Sequence, residues 1–500
     1  MAQIRERKER LKRLELIKQQ GIDPYPPAGR RSHQIKEILT GFKDLESAQK
    51  NLFIVGRIKS VRKHGGSQFI DLEDGTARIQ VYLKKDVIGD DQYEFLSLTD
   101  IGDFIEVEGG LFKTKAGELT VQAKKFRLLS KALLPLPEKW HGLKDIEERY
   151  RKRYLDLIMN PEVKERFVIR SKIVESIRRL LLNKGYLEVE TPVLQTIYGG
   201  GFAKPFITHH NALDIPLYLR ISDELYLKRL LVGHFEKIFE FCRDFRNEGL
   251  DPSHNPEFTM LEAMTAYQDY RFSMDLVEEI YETAAKEVLG TTKINYQEHQ
   301  IDLKRPWKRL TLHQAVKEFT GHDLVKVSDL SEAIEIAAGL KIDKRKIKPL
   351  QSVGEITNLI FEEKVESNLI QPVIIYDYPV EVSPLAKKSR TNPKVVERFE
   401  HFIFGKEHGN HYSELNDPVE LKKRFIEEKN KKEAGFEEAH QTDLDFVEAL
   451  EHGMPPATGI GIGIDRLAML FTNSRSIKEV IFFPTMKPKT KSIEENGKAK

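Results

Sequence analysis

Short runs of alternating apolar and polar residues dominate positions 51–130, separated by glycine or Asp-Gly turn signals. The runs NLFIVGRIKSVR, SQFIDLEDG, ARIQVYLKK, DFIEVEGGLFKT and ELTVQAKKFRLL each have the period of a strand, so this stretch predicts a small all-β barrel or sandwich. Alternation also assigns faces. Ile70, Leu72, Ile79, Val81, Leu83, Leu119 and Val121 form the core set, which turns Phe69, Gln80, Tyr82 and Glu118 outward. An exterior ring beside an amide and a carboxylate, with Arg57 and Arg62 on the neighbouring strand, has the make-up of a base-stacking platform. A singly exposed ring is an equally ordinary reading.

Helical spacing appears elsewhere. Residues 4–20 alternate charges and stop at Gly21; their Arg5, Arg7, Lys8, Arg10, Lys12 and Arg13 suit either contact with nucleic acid or a solvated face. Residues 133–157 pass from a proline-containing linker into a charged helix. Residues 163–183 carry Phe167, Ile169, Ile173, Ile177, Leu180 and Leu181 at helical positions, and after Gly185 the chain reads as extended, EVETPVL. The remainder mixes strands (KIFEFCRDF, PEFTMLEA, VIIYDY, HFIFG) with helices over 275–288, 330–340 and 417–432, and no internal repeat appears. That mixture predicts an α+β fold.

Composition narrows the class. A chain of 500 residues has room for about three domains, and 40% hydrophobic with 32% charged residues fits a well-folded protein. A formal charge of +2 excludes a histone-like polybasic binder but not a local basic patch. The single cysteine, Cys242, forms no intramolecular disulfide and points to a reducing compartment. No apolar run approaches the roughly 18 residues of a membrane span. The N-terminus has the charge of a signal peptide without an apolar region behind it, and Glu6, Glu9 and Glu15 argue against a transit peptide. A soluble, cytoplasmic, multidomain protein is expected.

Three segments carry chemistry. In FEKIFEFCRDFRNEGLDPSHNPEFTMLEAMTAY, two strands are expected around a loop near Leu250–Asn255. Arg246 and Glu248 share a face of the first; His254, Phe258, Glu262 and Met264 share a parity on the second. An arginine, carboxylates, a histidine and a ring on one face could hold a polyanion bearing a flat base, against the plainer reading of an edge hairpin with incidental charges. In ERFEHFIFGKEHGNHYSELND, Glu400 and Glu407 flank a glycine bend while Asn410, Tyr412 and Glu414 alternate. Carboxylates near a phosphate site commonly hold Mg²⁺, and a solvated acidic face is the alternative. His401, His408 and His411 match no zinc spacing. In ATGIGIGIDRLAMLFT, Gly459, Gly461 and Gly463 precede Asp465 and Arg466 at a helix start; the spacing is not that of a dinucleotide fingerprint.

Together these segments resemble the three signature motifs of class II aminoacyl-tRNA synthetases. Motif 1 corresponds to 163–183 plus GYLEVETPVL with Pro192, motif 2 to FRNEG–HNPEF, and motif 3 to GIGIGIDRL. KALLPLPEKWHGLKDIEERYRKRYLDL, KPFITHHNALDIPLYLRISDELYLKRL, YDYPVEVSPLAK, NHYSELND and EHGMPPATGIGIGIDR are similar to the lysyl-tRNA synthetases of subgroup IIb over about residues 10–488. The resemblance implies an N-terminal basic helix and lead-in (1–50), an OB-fold anticodon-binding barrel (51–132), a linker helix (133–162), a class II catalytic domain with an antiparallel sheet flanked by helices (163–490), and a tail (491–500). A free-standing paralogue that modifies a protein lysine would lack the barrel, so tRNA is the implied acceptor.

It also implies roles. Arg246 would bridge the ATP α-phosphate and the amino-acid carboxylate, Glu248, His254 and Asn255 would place ATP, and Phe258 with Arg466 would sandwich adenine. Glu400 and Glu407 would hold Mg²⁺. Gly200 and Glu224 would receive the substrate α-amino group and Asn410 its carboxylate. Glu262 and Glu414 would face the side-chain ammonium, with Tyr412 and Gly461 lining the slot. Phe69 would stack on an anticodon base while Arg62, Gln80 and Glu118 read base edges. Where the family places a tyrosine after the motif 2 glutamate, this chain has Met264. The implied activity is lysine–tRNA ligation through lysyl-adenylate, in a homodimer; aspartate or asparagine would need a cationic slot, and an RNA-binding descendant would be expected to have lost Arg246 and Arg466.

Overall fold

The computed structural model describes residues 2–137, 143, 145–201, 203–433 and 443–489. The tail 491–500 and part of the linker expected at 133–162 lie outside these residues. The chain divides into two compact units, Met1–Lys144 and Asp145–Lys500.

In the first unit, β1 (Leu52–His64), β2 (Ser67–Glu73), β3 (Arg78–Lys84), β4 (Phe104–Lys113) and β5 (Leu119–Ser130) close into a barrel of order β1-β2-β3-β5-β4. Closure follows from one parallel pairing, β3 with β5, among antiparallel neighbours. The faces fall as alternation requires: Ile70, Leu72, Ile79, Val81, Leu83 and Val121 are buried, with Leu119 partly so. Helix α1 (Ala2–Gln19) ends before Gly21, which takes a left-handed φ of 72°. Of its basic residues Arg5, Arg7, Lys8 and Lys12 are exposed, whereas Arg10 and Arg13 turn inward. Arg10 is 3% exposed and donates to the carbonyls of Ile101 and Ala132, and Arg13 pairs with Asp100, so these two hold the helix on the barrel.

The second unit is built on an eight-stranded sheet. Its strands are β6 (Leu187–Glu188), β7 (Lys237–Phe245), β8 (Glu257–Ala266), β9 (Lys308–Thr311), β10 (Val373–Pro379), β11 (Val395–Ile403), β12 (Lys406–Ser413) and β13 (Ala457–Gly463), in the order β9-β10-β11-β12-β13-β8-β7-β6. The six central strands are antiparallel and only the edge pairs are parallel. Helices α2 (Pro161–Asn183), α4 (Tyr270–Leu289) and α5 (Ile464–Phe471) cover one face, with α3 (Glu224–Val232) elsewhere in the unit. Period two divides each central strand. Leu261, Ala263, Ile460, Ile462 and Phe399 pack into the helix layer with Ile173, Ile177 and Leu181. Their neighbours Phe258, Glu262, Gly459, Gly461, Asn410, Tyr412 and Glu400 turn to the opposite face and line a cleft.

Differences from the sequence reading are local. The first strand of the motif 2 hairpin stops at Phe245, so Arg246 and Glu248 stand in the loop, pinned by Arg246 N–H to the Pro256 carbonyl at 2.9 Å. The charged helix near 145–157 is two short helices, Ile146–Arg151 and Arg153–Met159, within the second unit; Arg153, 2% exposed, donates to the Phe482 and Lys478 carbonyls.

Candidate active site

The cleft, about 350 Å³, is lined by every residue to which an adenylation role was assigned, Gly200 and Glu224 included. Register explains how residues so far apart in sequence meet. One cross-strand row runs Glu400, Asn410, Gly461, Glu262, Glu240 from β11 to β7, and the next runs Arg398, Tyr412, Gly459, Met264, Ile238. Two glycines of β13 make this crossing possible. A Cβ on Gly461 would stand 2.7 Å from Glu262 Oε1, and one on Gly459 would collide with Glu414. The glycines admit side-chain carboxylates, whereas the sequence suggested only backbone approach to a ligand.

At one end Arg246 and Arg466 face the cleft. The guanidinium of Arg246 stands over the Phe258 ring at 5.1 Å. Arg466, near the start of α5, donates to the Glu407 carbonyl at 2.5 Å and approaches His254 Nε2 at 3.4 Å. His254 is held through Nδ1 by Asp251 at 2.7 Å. Asn255 lines the cleft, yet its amide donates to the Glu257 carbonyl and accepts from Thr485 N–H, so it holds the motif 2 loop in place. Asn410 Oδ1 accepts from Arg398 Nε at 2.9 Å. Asp465, missed as a working residue, is buried and clasps three elements: it accepts from Thr259 N–H on β8 at 2.8 Å and from Arg170 of α2 at 2.8 Å.

Glu400 is bonded to Tyr378 Oη at 2.8 Å and to Arg398; Glu407 is half-exposed. Burial and the charges of Glu400 and Glu407 push a third carboxyl, Glu366, up to about 7. Glu366, Glu400 and Glu407, gathered with only oxygen donors, fit a hard divalent cation such as Mg²⁺.

The other end is an acidic slot. Glu224 and Glu414 flank Lys228, which the sequence reading overlooked: its Nζ lies 2.5 Å from Glu224 Oε1, 2.6 Å from Glu414 Oε2, and 5.2 Å from the Tyr412 ring centroid. The two carboxylates outweigh its desolvation and keep the ammonium charged. Spacing could have revealed it, since Glu224 and Lys228 are four apart on one helix face. Burial pushes Glu414 up to about 8 despite Lys228, and Glu262 is raised by burial and its acidic neighbours. Among the described residues, three carboxyls face one ammonium in the slot, with Arg246 acting on Glu262 from its other end.

His401, His408 and His411 are buried and joined in one hydrogen-bonded chain through Tyr281. Gly461 N–H donates to His411 Nδ1 at 3.2 Å, so His411 Nε2 carries hydrogen and donates to His401 Nδ1 at 2.8 Å. His401 Nε2 then donates to Tyr281 Oη at 2.8 Å, and Tyr281 donates to His408 Nδ1 at 3.4 Å.

In the barrel unit, Arg62, Phe69, Gln80 and Glu118 line one shallow groove with Asp71, Arg78 and Thr114. Phe69 stacks on Tyr82 with centroids 4.8 Å apart, Gln80 accepts from Thr120 at 3.0 Å, and Arg62 pairs with Asp71 at 3.1 Å. Arg57 takes no part; it lies over the Phe104 ring at 4.2 Å.

Comparison with known proteins fits this geometry. Residues 145–487 match the family described as tRNA synthetases class II (D, K and N). The chain belongs to the class II tRNA synthetases. Residues 53–129 of this synthetase match the OB-fold nucleic acid binding domain. It is 52% identical over 490 residues to a protein of Pelotomaculum thermopropionicum named lysine–tRNA ligase, covering 97% of this chain and 95% of that one. A Bacillus subtilis protein of the same name is 51% identical over 490 residues, 97% of each chain.

Proposed function

We propose that this synthetase is a lysine–tRNA ligase, and one observation carries the choice among the three amino acids of its family. Among the described residues the slot presents Glu224, Glu262 and Glu414 against the ammonium of Lys228, with Arg246 reaching Glu262 from the other end. A diammonium acid balances that charge; aspartate would add to the excess and asparagine would leave it standing.

In the first step a carboxylate oxygen of lysine attacks the α-phosphorus of ATP in line. The bond from that phosphorus to the bridging oxygen breaks, giving lysyl-adenylate and pyrophosphate. Arg246 orients both reacting groups and neutralises the charge that builds between them. Phe258 and Arg466 hold adenine, with Glu248 and His254 along the nucleotide. Glu400 and Glu407, with Glu366 nearby, would hold Mg²⁺, which would supply charge neutralisation on the phosphates. In the second step a terminal ribose hydroxyl of tRNA(Lys) takes the lysyl group and AMP leaves. The barrel groove serves as the anticodon-reading surface. Among the described residues no helix is long and apolar enough to cross a membrane. The working form is a cytoplasmic homodimer joined through motif 1.

ATP–pyrophosphate exchange screened across twenty amino acids tests the reading. Lysine is expected to support exchange far above the rest; preferential exchange with aspartate or asparagine would reverse the assignment.

A further inference from the structure

A buried polar cluster lies behind the slot, and the proposed reaction does not use it. Asp223 precedes Glu224 at the start of α3, while Cys242 and Asp244 take alternate, same-face positions on β7. One Sγ and one oxygen from each carboxylate lie within 4.8 Å of one another, and all three residues are buried. Asp223 is 0% exposed, and among the described residues neither of its carboxylate oxygens has a hydrogen-bond partner. Arg246 and Arg220 both act on Asp244, and Arg220, the closer of the two, is committed elsewhere. Its Nη1 donates to Glu240 at 2.8 Å and its Nε to the Arg243 carbonyl at 2.8 Å, leaving a 3.4 Å approach to Asp244. A buried carboxylate with no donor, as at Asp223, is costly, and with Asp244 beside it, hydrogen-bonded only to the Cys242 thiol among the described residues, the pair calls for a counter-charge or protons.

We infer that Asp223, Cys242 and Asp244 form a binding site for one thiophilic divalent cation of the zinc class. The donor set decides the class, because a thiolate among carboxylates suits zinc, whereas magnesium and calcium take oxygen alone. Zinc–sulfur and zinc–oxygen bonds of about 2.3 and 2.0–2.2 Å require only modest contraction of the present separations, within reach of side-chain rotation. Two ligands stand on a strand and the third at a helix start, so the backbone holds them in place. Glu240, two residues before Cys242 on β7, and Glu262, diagonal to it across the β7–β8 pairing, are further carboxylates beside the cluster. Burial, with neighbouring carboxylates, raises Asp223 and Cys242, and it raises Asp244 despite Arg246 and Arg220. Loading releases the thiol proton and any carboxyl protons to solvent, so affinity rises with pH. The cation would enter through the slot, whose lining includes the adjacent Glu224 and Glu262.

The test reads metal directly and is independent of aminoacylation. The full chain, stripped with a chelator and titrated with Co²⁺ without nucleotide, is expected to bind cobalt with a thiolate-to-metal charge-transfer band. Cys242 is the chain's 1 cysteine, so no other residue can produce that band. Cys242→Ser should abolish it, and Asp223→Asn should weaken cobalt binding at least tenfold, with metal-free circular dichroism unchanged. If either variant fails to fold, zinc-edge X-ray absorption on the unaltered chain should still find one sulfur neighbour. Cobalt bound without a sulfur ligand, or retained equally by Cys242→Ser, would overturn the inference. So would failure to retain any metal, which would leave Asp223 and Asp244 neutralised by protons.

Discussion

Met264 and Tyr412 occupy the same cross-strand row, on either side of Gly459. The phenol that relatives are expected to place at the first position stands here at the second, where it bonds Glu224 beside Lys228. Met264 is 1% exposed and packs with Leu225, Ile238 and Leu415. Tyr412→Phe should therefore raise KM for lysine roughly tenfold, since a hydrogen bond to a charged group contributes about 1.5–3 kcal/mol. Met264→Leu should change it little, and Met264→Tyr should destabilise by overpacking, about 1–3 kcal/mol. Pyrophosphate-exchange kinetics and urea unfolding of the three variants would check this. Glu414 adds a pH signature. Its carboxyl sits up at about 8 in the free protein, and only its ionised form attracts the substrate's ammonium, which titrates near 10.4. Hence kcat/KM for lysine should rise as pH increases toward about 8 and then level off. Glu414→Gln should remove that rising limb and raise KM for lysine at least tenfold while sparing KM for ATP. A pH profile of the variant identical to the original would refute the role.

At the scale of elements, the buried chain from Gly461 through His411, His401 and Tyr281 to His408 ties the glycine strand to β11, β12 and α4. Burial holds all three imidazoles neutral, with His401 pushed down to about 3 and the other two well below their usual value. Histidines in the unfolded chain take up protons near 6.5, so below that pH the unfolded state binds more protons and this contribution to stability is lost as pH falls. Each such histidine adds up to about 1.4 kcal/mol per pH unit. Raised carboxyls such as Glu366 act in the opposite direction, so the difference between proteins is the useful measure. His401→Phe should flatten the fall of the urea midpoint between pH 6.5 and 5 by about one proton's worth, relative to the unaltered chain. Much of this architecture was legible in the sequence. Alternation placed both faces of the barrel, and KIFEFCRDF began and ended where β7 does. The histidine chain was not, because alternation identifies a face but not which residues across three strands and a helix will meet there. For Lys228 the i,i+4 partner Glu224 was legible, whereas its second partner, Glu414, is brought to it only by the sheet. Arg246 and Glu248 kept a strand-like spacing in a segment whose backbone leaves the sheet, so strand parity misplaced them.

For the whole molecule, α2 buries Ile173, Ile177 and Leu181 but leaves Val168 and Leu182 exposed, and Leu187, Val193 and Leu194 after it are exposed too. A second copy of the chain would cover these residues, so light scattering should find twice the chain mass, with an interface above about 2,000 Å² in total. An active monomer at micromolar concentration would reject this. The division of labour between the two units makes the last prediction. Every side chain assigned to adenylation belongs to Asp145–Lys500, whereas Phe69, Arg62, Gln80 and Glu118 belong to Met1–Lys144. Adenylate formation needs lysine and ATP alone, so Phe69→Ala should leave lysine-dependent pyrophosphate exchange intact. Charging of tRNA(Lys) should suffer, because stacking a base on an aromatic ring is worth about 1–3 kcal/mol, a loss of roughly five- to a hundredfold in kcat/KM. Tyr82, which stacks on Phe69 from the side, provides an internal control for collapse of the platform. Tyr82→Leu keeps a bulky neighbour there and should have a smaller effect on charging than Phe69→Ala. Equal loss of exchange and charging in Phe69→Ala would indicate damage beyond the groove, and unchanged charging would remove Phe69 from the anticodon site.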